Sequence, residues 1–215
     1  MEVADISLPT QNRPIVAVFD FDGTLTKKDS FLPFLCGAVG QFRYLLGLLV
    51  LLPWLMGLAL KIIPNGRVKE AFLTHFLGGW SEEKLQRVAE RFAVQKIPKM
   101  LRPEALRRLE WHQAQGHKLV VLSASPEAYL VPWAQTISVD MVIASRLEVQ
   151  TGLLTGRLLG KNCYGQEKVE RLKAGLGNLS DYCLYAYGDS AGDLQLLAIA
   201  DYPYYRNFGD TKIAR

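Results

Sequence analysis

Cysteine is scarce in this chain: three residues, Cys36, Cys163 and Cys183, are spread over 215 positions. An odd, widely spaced set offers neither a disulfide framework nor a pair at metal-ligand spacing, so a reducing compartment is expected. Histidine is equally sparse. His75, His112 and His117 lack zinc spacing, and each reads as a surface or helix-packing residue. No dense Lys/Arg block interleaved with aromatics is present and the formal net charge is only +4, so nucleic acid is not an expected partner. The stretch from Met1 to Pro14 carries Glu2 and Asp5 and no apolar core, unlike a signal peptide. No repeat is visible. What remains is a globular composition, 49% apolar and 21% charged, with length for one domain plus a sizeable insertion.

The most informative residues that are present are Asp20-Phe21-Asp22-Gly23-Thr24, which close the apolar run Ile15-Val16-Ala17-Val18-Phe19. A β-branched run ending in a glycine turn reads as a buried strand that opens into a loop. Side chains alternate along a strand, so Asp20 and Asp22 share a side while Phe21 turns into the packing. Paired carboxylates repel, and they persist when a cation sits between them or when they divide chemical roles. A turn in which Asp residues cap backbone amides explains the same residues and stays open at this point.

Further along, Asp29-Ser30-Phe31 starts a helix, and from Leu45 to Leu60 no residue is charged. A spanning helix wants about 20 apolar residues, and this shorter run is broken by Pro53. Two short apolar helices or a helical hairpin are expected there. They form either the buried core of a small helical domain or a patch dipping into a bilayer interface, with Arg43, Lys61, Arg67 and Lys69 near headgroups. Helical spacing covers residues 68–78 and 82–95, with Ser81 as N-cap. A helix at 104–115 stops at Gly116 and leads to a strand at 118–122. A strand at 140–144, a hairpin at 147–159, a helix at 166–174, a strand at 182–187, a last helix and a strand at 202–205 follow. Alternating helices and apolar strands predict an α/β fold with a Rossmann-like parallel sheet and a helical cap inserted after the first strand. The expected division is a core of residues 14–34 and 98–215 and a cap of residues 35–97.

Three more signals fall where such sheets bind ligands, at strand ends. Ser123 stands at the tip of the second strand, able to meet an anion together with helix N-terminal amides; Ser125 before Pro126 reads as an N-cap. Gly188-Asp189-Ser190-Ala191-Gly192-Asp193 supplies a second acidic pair, one helical turn apart. Asp193 alone could be a first-turn residue favoured by the helix dipole, and Lys168 alone a solvated helix lysine. Together, four aspartates at one sheet edge demand a cation. Oxygen ligands in an incomplete cage suit Mg2+, and Ser123 and Lys168 supply what a phosphoryl group requires.

The order DxDGT, strand-end Ser, Lys and GDSxGD resembles the haloacid dehalogenase superfamily of aspartate-nucleophile phosphatases. The cap resembles that of subfamily IB, the phosphoserine-phosphatase-like group. Residues Asn162 to Val169 and the leucine-rich cap look like its phosphatidylglycerophosphatase C-type branch. The resemblance implies that Asp20 attacks phosphorus and becomes an aspartyl-phosphate, while Asp22 acts as general acid and base. It implies that Asp20, the backbone carbonyl of Asp22 and Asp189 hold Mg2+, that Asp193 orients the metal shell or Lys168, and that Ser123 and Lys168 bind the phosphoryl group. Asp22 argues against a dehalogenase, which has no leaving alcohol to protonate.

In phosphoserine phosphatases an acidic residue after the first motif reads the substrate amine. Asp29 occupies that place here, shorter than the usual Glu, and could equally cap the first cap helix; Arg67 is a further candidate substrate contact. The uncharged run favours a lipid phosphate such as phosphatidylglycerophosphate, hydrolysed by a cytoplasmic enzyme or one peripheral to the inner face of the membrane. The alternative is a cytosolic phosphatase of a small phosphomonoester, phosphoserine or histidinol phosphate. A membrane-docking module with a dead site is a third reading.

Overall fold

A computed structural model describes residues 13–209. Strand β1 (Ile15–Phe19) carries apolar side chains on both faces, and Val16 to Phe19 are fully buried. That pattern belongs to an interior strand of a parallel sheet. Six helices form the insertion that follows: α1 (Phe31–Val39), α2 (Gln41–Val50), α3 (Leu52–Ala59), α4 (Asn65–Leu77), α5 (Glu82–Gln95) and the short α6 (Ile97–Met100). The chain then returns through α7 (Pro103–Ala114), β2 (Lys118–Pro126), α8 (Glu127–Thr136) and β3 (Met141–Ser145). A hairpin, β4 (Leu147–Gln150) and β5 (Leu153–Leu158), precedes α9 (Gln166–Leu176), β6 (Cys183–Gly188), α10 (Leu194–Ala198) and β7 (Tyr202–Tyr205).

The five-stranded sheet runs β3-β2-β1-β6-β7 and is parallel throughout. In register, Val18 of β1 faces Val120 on one side and Ala186 on the other. The strand order reverses direction beside β1, so the loops after β1, β2 and β6 diverge and leave a crevice at their carboxyl ends. The motifs lie on these loops.

The helical insertion leaves and re-enters the core through two segments that pair with each other. Lys27 N–H donates to the Met100 carbonyl (2.8 Å) and Arg102 N–H to that of Leu25 (2.8 Å). The β4–β5 hairpin, expected with the core, bonds instead to the insertion. Gly79 N–H donates to Leu154 O (2.9 Å), Leu154 N–H to Trp80 O (2.8 Å), and Thr74 Oγ1 to Gly156 O (3.2 Å). Gly156 has φ +82, and a Cβ there would collide with the Thr74 backbone, so glycine is what allows this close approach. Ser81 caps α5 as expected, accepting from Lys84 N–H (3.3 Å). The uncharged run forms two short helices, α2 and α3, with α1 and α2 bent by 119°. Among the described residues no single helix is long and apolar enough to cross a membrane.

Candidate active site

The crevice holds a cavity of about 560 Å³ whose floor includes Asp20, Asp22, Ser123, Lys168 and Asp189. Asp20 ends β1, and its N–H donates to Tyr187 O (2.9 Å) on the neighbouring strand. Phe21 next to it is buried edge-on against Trp133 at 4.8 Å. Asp22 lies in a turn broken at Gly23, whose φ is +80. A Cβ on Gly23 would run into the Asp189 carboxylate, so glycine lets the two acidic loops meet.

Lys168 reaches this floor from α9, at only 2% exposure. Its Nζ donates to Asp20 Oδ1 (2.5 Å) and Asp193 Oδ1 (2.6 Å). Burial alone would lower its pKa, but the two carboxylates reverse the effect and hold it above the ordinary lysine value. The two acids are not equivalent. Asp193 Oδ2 also accepts from Asp189 N–H, Ser190 N–H and Ser190 Oγ, so against its burial Asp193 stays below the usual carboxylate range. Asp20 lacks such donors, and burial pushes its pKa up to about 7 despite Lys168. One lysine thus neutralises one carboxylate fully and leaves the other poorly compensated.

Asp189, half-buried, has its pKa raised by burial and then by Asp193. Its Oδ1 is shielded from solvent and has no hydrogen-bond partner. Carboxylate oxygens of Asp20, Asp189 and Asp193 lie within 4.8 Å of one another. A buried acceptor without a donor, in an all-oxygen set carrying excess negative charge, fits a hard divalent cation. Asp193 spends its oxygens on Lys168 and backbone donors, which leaves Asp20 and Asp189 as the free ligands.

Asp22 sits opposite, away from Lys168. Its Oδ1 accepts from Ser30 N–H (2.7 Å) at the start of α1 and its Oδ2 from Ser125 Oγ. Burial, then Asp29, raises its pKa. Ser123 is buried, and its Oγ accepts from Ser125 N–H (3.0 Å), leaving its own O–H free to donate. Ser125 does not cap α8, because β2 runs on through Pro126 and the helix begins at Glu127. Its hydroxyl joins Ser30, Tyr129 and Asp22 in one buried network. An isolated Ser-Pro pair carries no trace of such distant partners.

Asp29 is exposed on the rim of the cavity, and its Oδ1 accepts from Leu32 N–H (3.1 Å), the geometry of a helix cap. Arg67 does not reach the cleft. Its side chain is 74% exposed, pairs with Glu70 (3.8 Å) and borders a separate groove with Trp54 and His75. Two positions along an α-helix turn the chain by about 200°, so Lys69 points inward where Arg67 points out. Lys69 is buried, donates to Ala124 O (2.8 Å), lies over the Phe31 ring at 5.1 Å and lines the cavity. Its pKa is lowered by burial. The signal that finds Lys69 is its place beside buried Val68 and one turn before Phe72, on the apolar face of α4.

The sequence is 39% identical to Protein CicA of Caulobacter vibrioides, over 92% of this chain and 88% of that protein. A phosphoserine phosphatase of Idiomarina loihiensis is 33% identical over 46% of each chain. A crystal structure of a protein of unknown function from Bordetella pertussis Tohama I superposes with a TM-score of 0.75 at 25% identity, covering 86% of each chain. Residues 17–198 match the haloacid dehalogenase-like hydrolases, and this chain, with its acidic loops converging on one lysine, belongs to that family.

Proposed function

We propose that this hydrolase is a Mg2+-dependent phosphatase that works through an aspartyl-phosphate on Asp20. The observation that carries the reading is the uneven pair: a carboxylate with an oxygen on Lys168 and little other compensation, beside one locked by four donors. Asp20 attacks phosphorus while the bond to the leaving alcohol breaks, and Asp22, its pKa raised, passes a proton to that oxygen. Asp22 then takes a proton from water, which attacks the same phosphorus, breaks the bond to Asp20 and releases phosphate. Lys168 and the Ser123 O–H hold the phosphoryl oxygens, and Asp193 fixes Lys168. Asp20, Asp189 and the backbone carbonyl of Asp22 would hold the ion, which when bound neutralises charge on the phosphoryl oxygens.

The substrate we favour is a lipid phosphate such as phosphatidylglycerophosphate, in keeping with a resemblance to phosphatidylglycerophosphatase C-type proteins. Above the acidic floor one side of the cavity wall is apolar, built from Phe31, Leu32, Leu55, Leu58, Val68 and Phe72, with Lys27, Lys28, Asn65 and Lys69 also lining the cavity. That wall suits a molecule with a polar phosphate end and a greasy remainder. A second reading, a small phosphomonoester such as phosphoserine or histidinol phosphate, is favoured by Asp29 on the rim and by the phosphoserine phosphatase relative. The test is phosphate release from phosphatidylglycerophosphate, lysophosphatidic acid, phosphoserine and histidinol phosphate, with and without magnesium, alongside Asp20→Asn. Acid quenching with labelled substrate should leave label on the peptide containing Asp20. Release by Asp20→Asn equal to wild type overturns the mechanism, and a preference for phosphoserine over both lipids overturns the substrate.

A further inference from the structure

We infer that the outer face of the α2–α3 hairpin is a docking surface for an anionic lipid bilayer. The inference deepens the lipid-phosphate reading by naming the partner, and part of its support rests on that reading. A helix facing water carries polar side chains on its outer side, and one that is apolar all round belongs in a core or against lipid. The inner side of α2 packs Tyr44 on Phe76 (5.5 Å), and the ring also leaves no room for a Cβ at Gly47. Its outer side is apolar too: Phe42, Leu46, Leu49 and Val50 are exposed, Phe42 at 74% and Leu49 at 70%. Helix α3 continues the patch with Leu52, Trp54 and Met56, and Leu60 just past its end extends it. An exposed apolar surface of this continuity marks a contact with something else.

Charge selects the occupant. Residues 30–69 contain no Asp or Glu, and Arg43 and Lys61 are exposed around the patch, whereas Arg67 is already paired with Glu70. A second copy of the chain meeting this face about a two-fold axis would bring like cations together with no acid to pair them. Anionic headgroups satisfy the cations while acyl chains cover the leucines. Length decides the depth. With about 1.5 Å per residue, helices of 10 and 8 residues fall well short of the roughly 30 Å hydrocarbon core. The hairpin therefore lies in the interface. Continuity with the cleft gives the placement a purpose, since Leu55 and Leu58 of α3 are cavity wall while Trp54 and Met56 of the same helix are outer patch. A phosphorylated headgroup would enter the cavity without leaving the bilayer surface.

The full chain is tested by co-sedimentation with vesicles of phosphatidylcholine alone or mixed with phosphatidylglycerol, in parallel with hydrolysis of p-nitrophenyl phosphate in solution. Wild type should bind the anionic vesicles at least about tenfold more tightly than the neutral ones. Leu46→Glu/Leu49→Glu should lose at least about tenfold in vesicle affinity, with hydrolysis of the soluble ester unchanged. Arg43→Glu/Lys61→Glu, which leaves the apolar face intact, should weaken binding to anionic vesicles and abolish the preference for them. No binding by wild type, equal binding by both variants, or a dimer in sedimentation velocity that the leucine variant dissolves would each overturn the proposal. Hydrolysis without vesicle binding removes the docking surface and spares the phosphatase; vesicle binding without hydrolysis does the reverse.

Discussion

Lys168 keeps an ammonium at 2% exposure between two carboxylates, while on α2 Phe42 keeps a benzyl group at 74% exposure. The cleft buries charge, and the cap hairpin exposes grease. Each departs from the usual division between core and surface, but they differ in how the departure is compensated. In the cleft, Lys168 and Asp193 have every partner within the chain, and the remaining want is an oxygen of Asp189 with no donor. On the hairpin no partner is supplied at all. Burying a side chain such as Leu or Phe is worth about 1.5–3 kcal/mol, so several exposed residues in one patch forgo a stabilisation that only an external surface could return.

The largest expected effect separates stability from activity inside the cleft. Lys168→Met leaves Asp20 and Asp193 buried without their cation, and breaking such a cluster costs about 3–5 kcal/mol. Urea unfolding should show that loss, and phosphate release should fall below detection. Asp20→Asn should abolish phosphate release as thoroughly, yet unfold no earlier than wild type, because Lys168 keeps Asp193 and its donors. If Asp20→Asn proves as destabilising as Lys168→Met, Asp20 is a structural partner of the lysine and the contrast drawn within the pair fails.

The core strands were legible because interior parallel strands read as unbroken apolar runs, as residues 15–19 do. That the floor residues meet was legible for a different reason. Asp20, Asp22, Ser123, Asp189 and Asp193 sit on or next to strand ends, where topology alone brings loops together, and Lys168 joins them from the first turn of α9. What stayed hidden depends on contacts between distant segments. Ser125 looks like a cap until Asp22, 103 positions away, takes its hydroxyl. Arg67 looks as well placed as Lys69 until the phase of α4 is fixed by Val68 and Phe72. The β4–β5 hairpin carries no local mark that its partners are Gly79 and Trp80.

A smaller effect is expected at Ser125, which belongs to the cleft but not to its charge cluster. Ser125→Ala removes one of the two donors to Asp22 and leaves Ser30 N–H in place. A hydrogen bond to a charged group is worth about 1.5–3 kcal/mol, so kcat should drop about ten- to a hundredfold on an alkyl phosphate. On p-nitrophenyl phosphate, whose leaving group needs no proton, the drop should be much smaller. Equal losses on both esters would mean that Ser125 positions the loop and not the acid. Lys69→Met probes the seam between the regions, since its ammonium holds Ala124 O from the cap side. We expect KM to rise by roughly fivefold, about 1 kcal/mol, with kcat nearly unchanged.

The subtlest test lies behind the cleft, beneath the strand that carries Asp189. Tyr187 Oη accepts from Arg108 Nε (2.6 Å), so its own proton goes to His112 Nε2 (2.8 Å). That choice makes His112 Nδ1 the donor to His117 Nδ1 (2.7 Å). A proton added at His112 Nε2 would face the Tyr187 hydroxyl proton, and burial together with Arg108 holds the His112 pKa down to about 3. In the unfolded chain it returns to about 6.5. The folded pKa of this base is depressed, so the unfolded state binds more protons between these values. The stabilisation is whole above about pH 6.5 and declines as pH falls toward 3, amounting to a loss of about 2 kcal/mol at pH 5. Residues 30–69 hold no His, Asp or Glu, so the hairpin contributes nothing to that slope. His112→Gln should flatten the decline between pH 6.5 and 5 in thermal unfolding while leaving vesicle binding at pH 7 untouched. A slope unchanged in His112→Gln would place the acid sensitivity elsewhere, with the half-buried His117, whose pKa is also lowered by burial and Arg108.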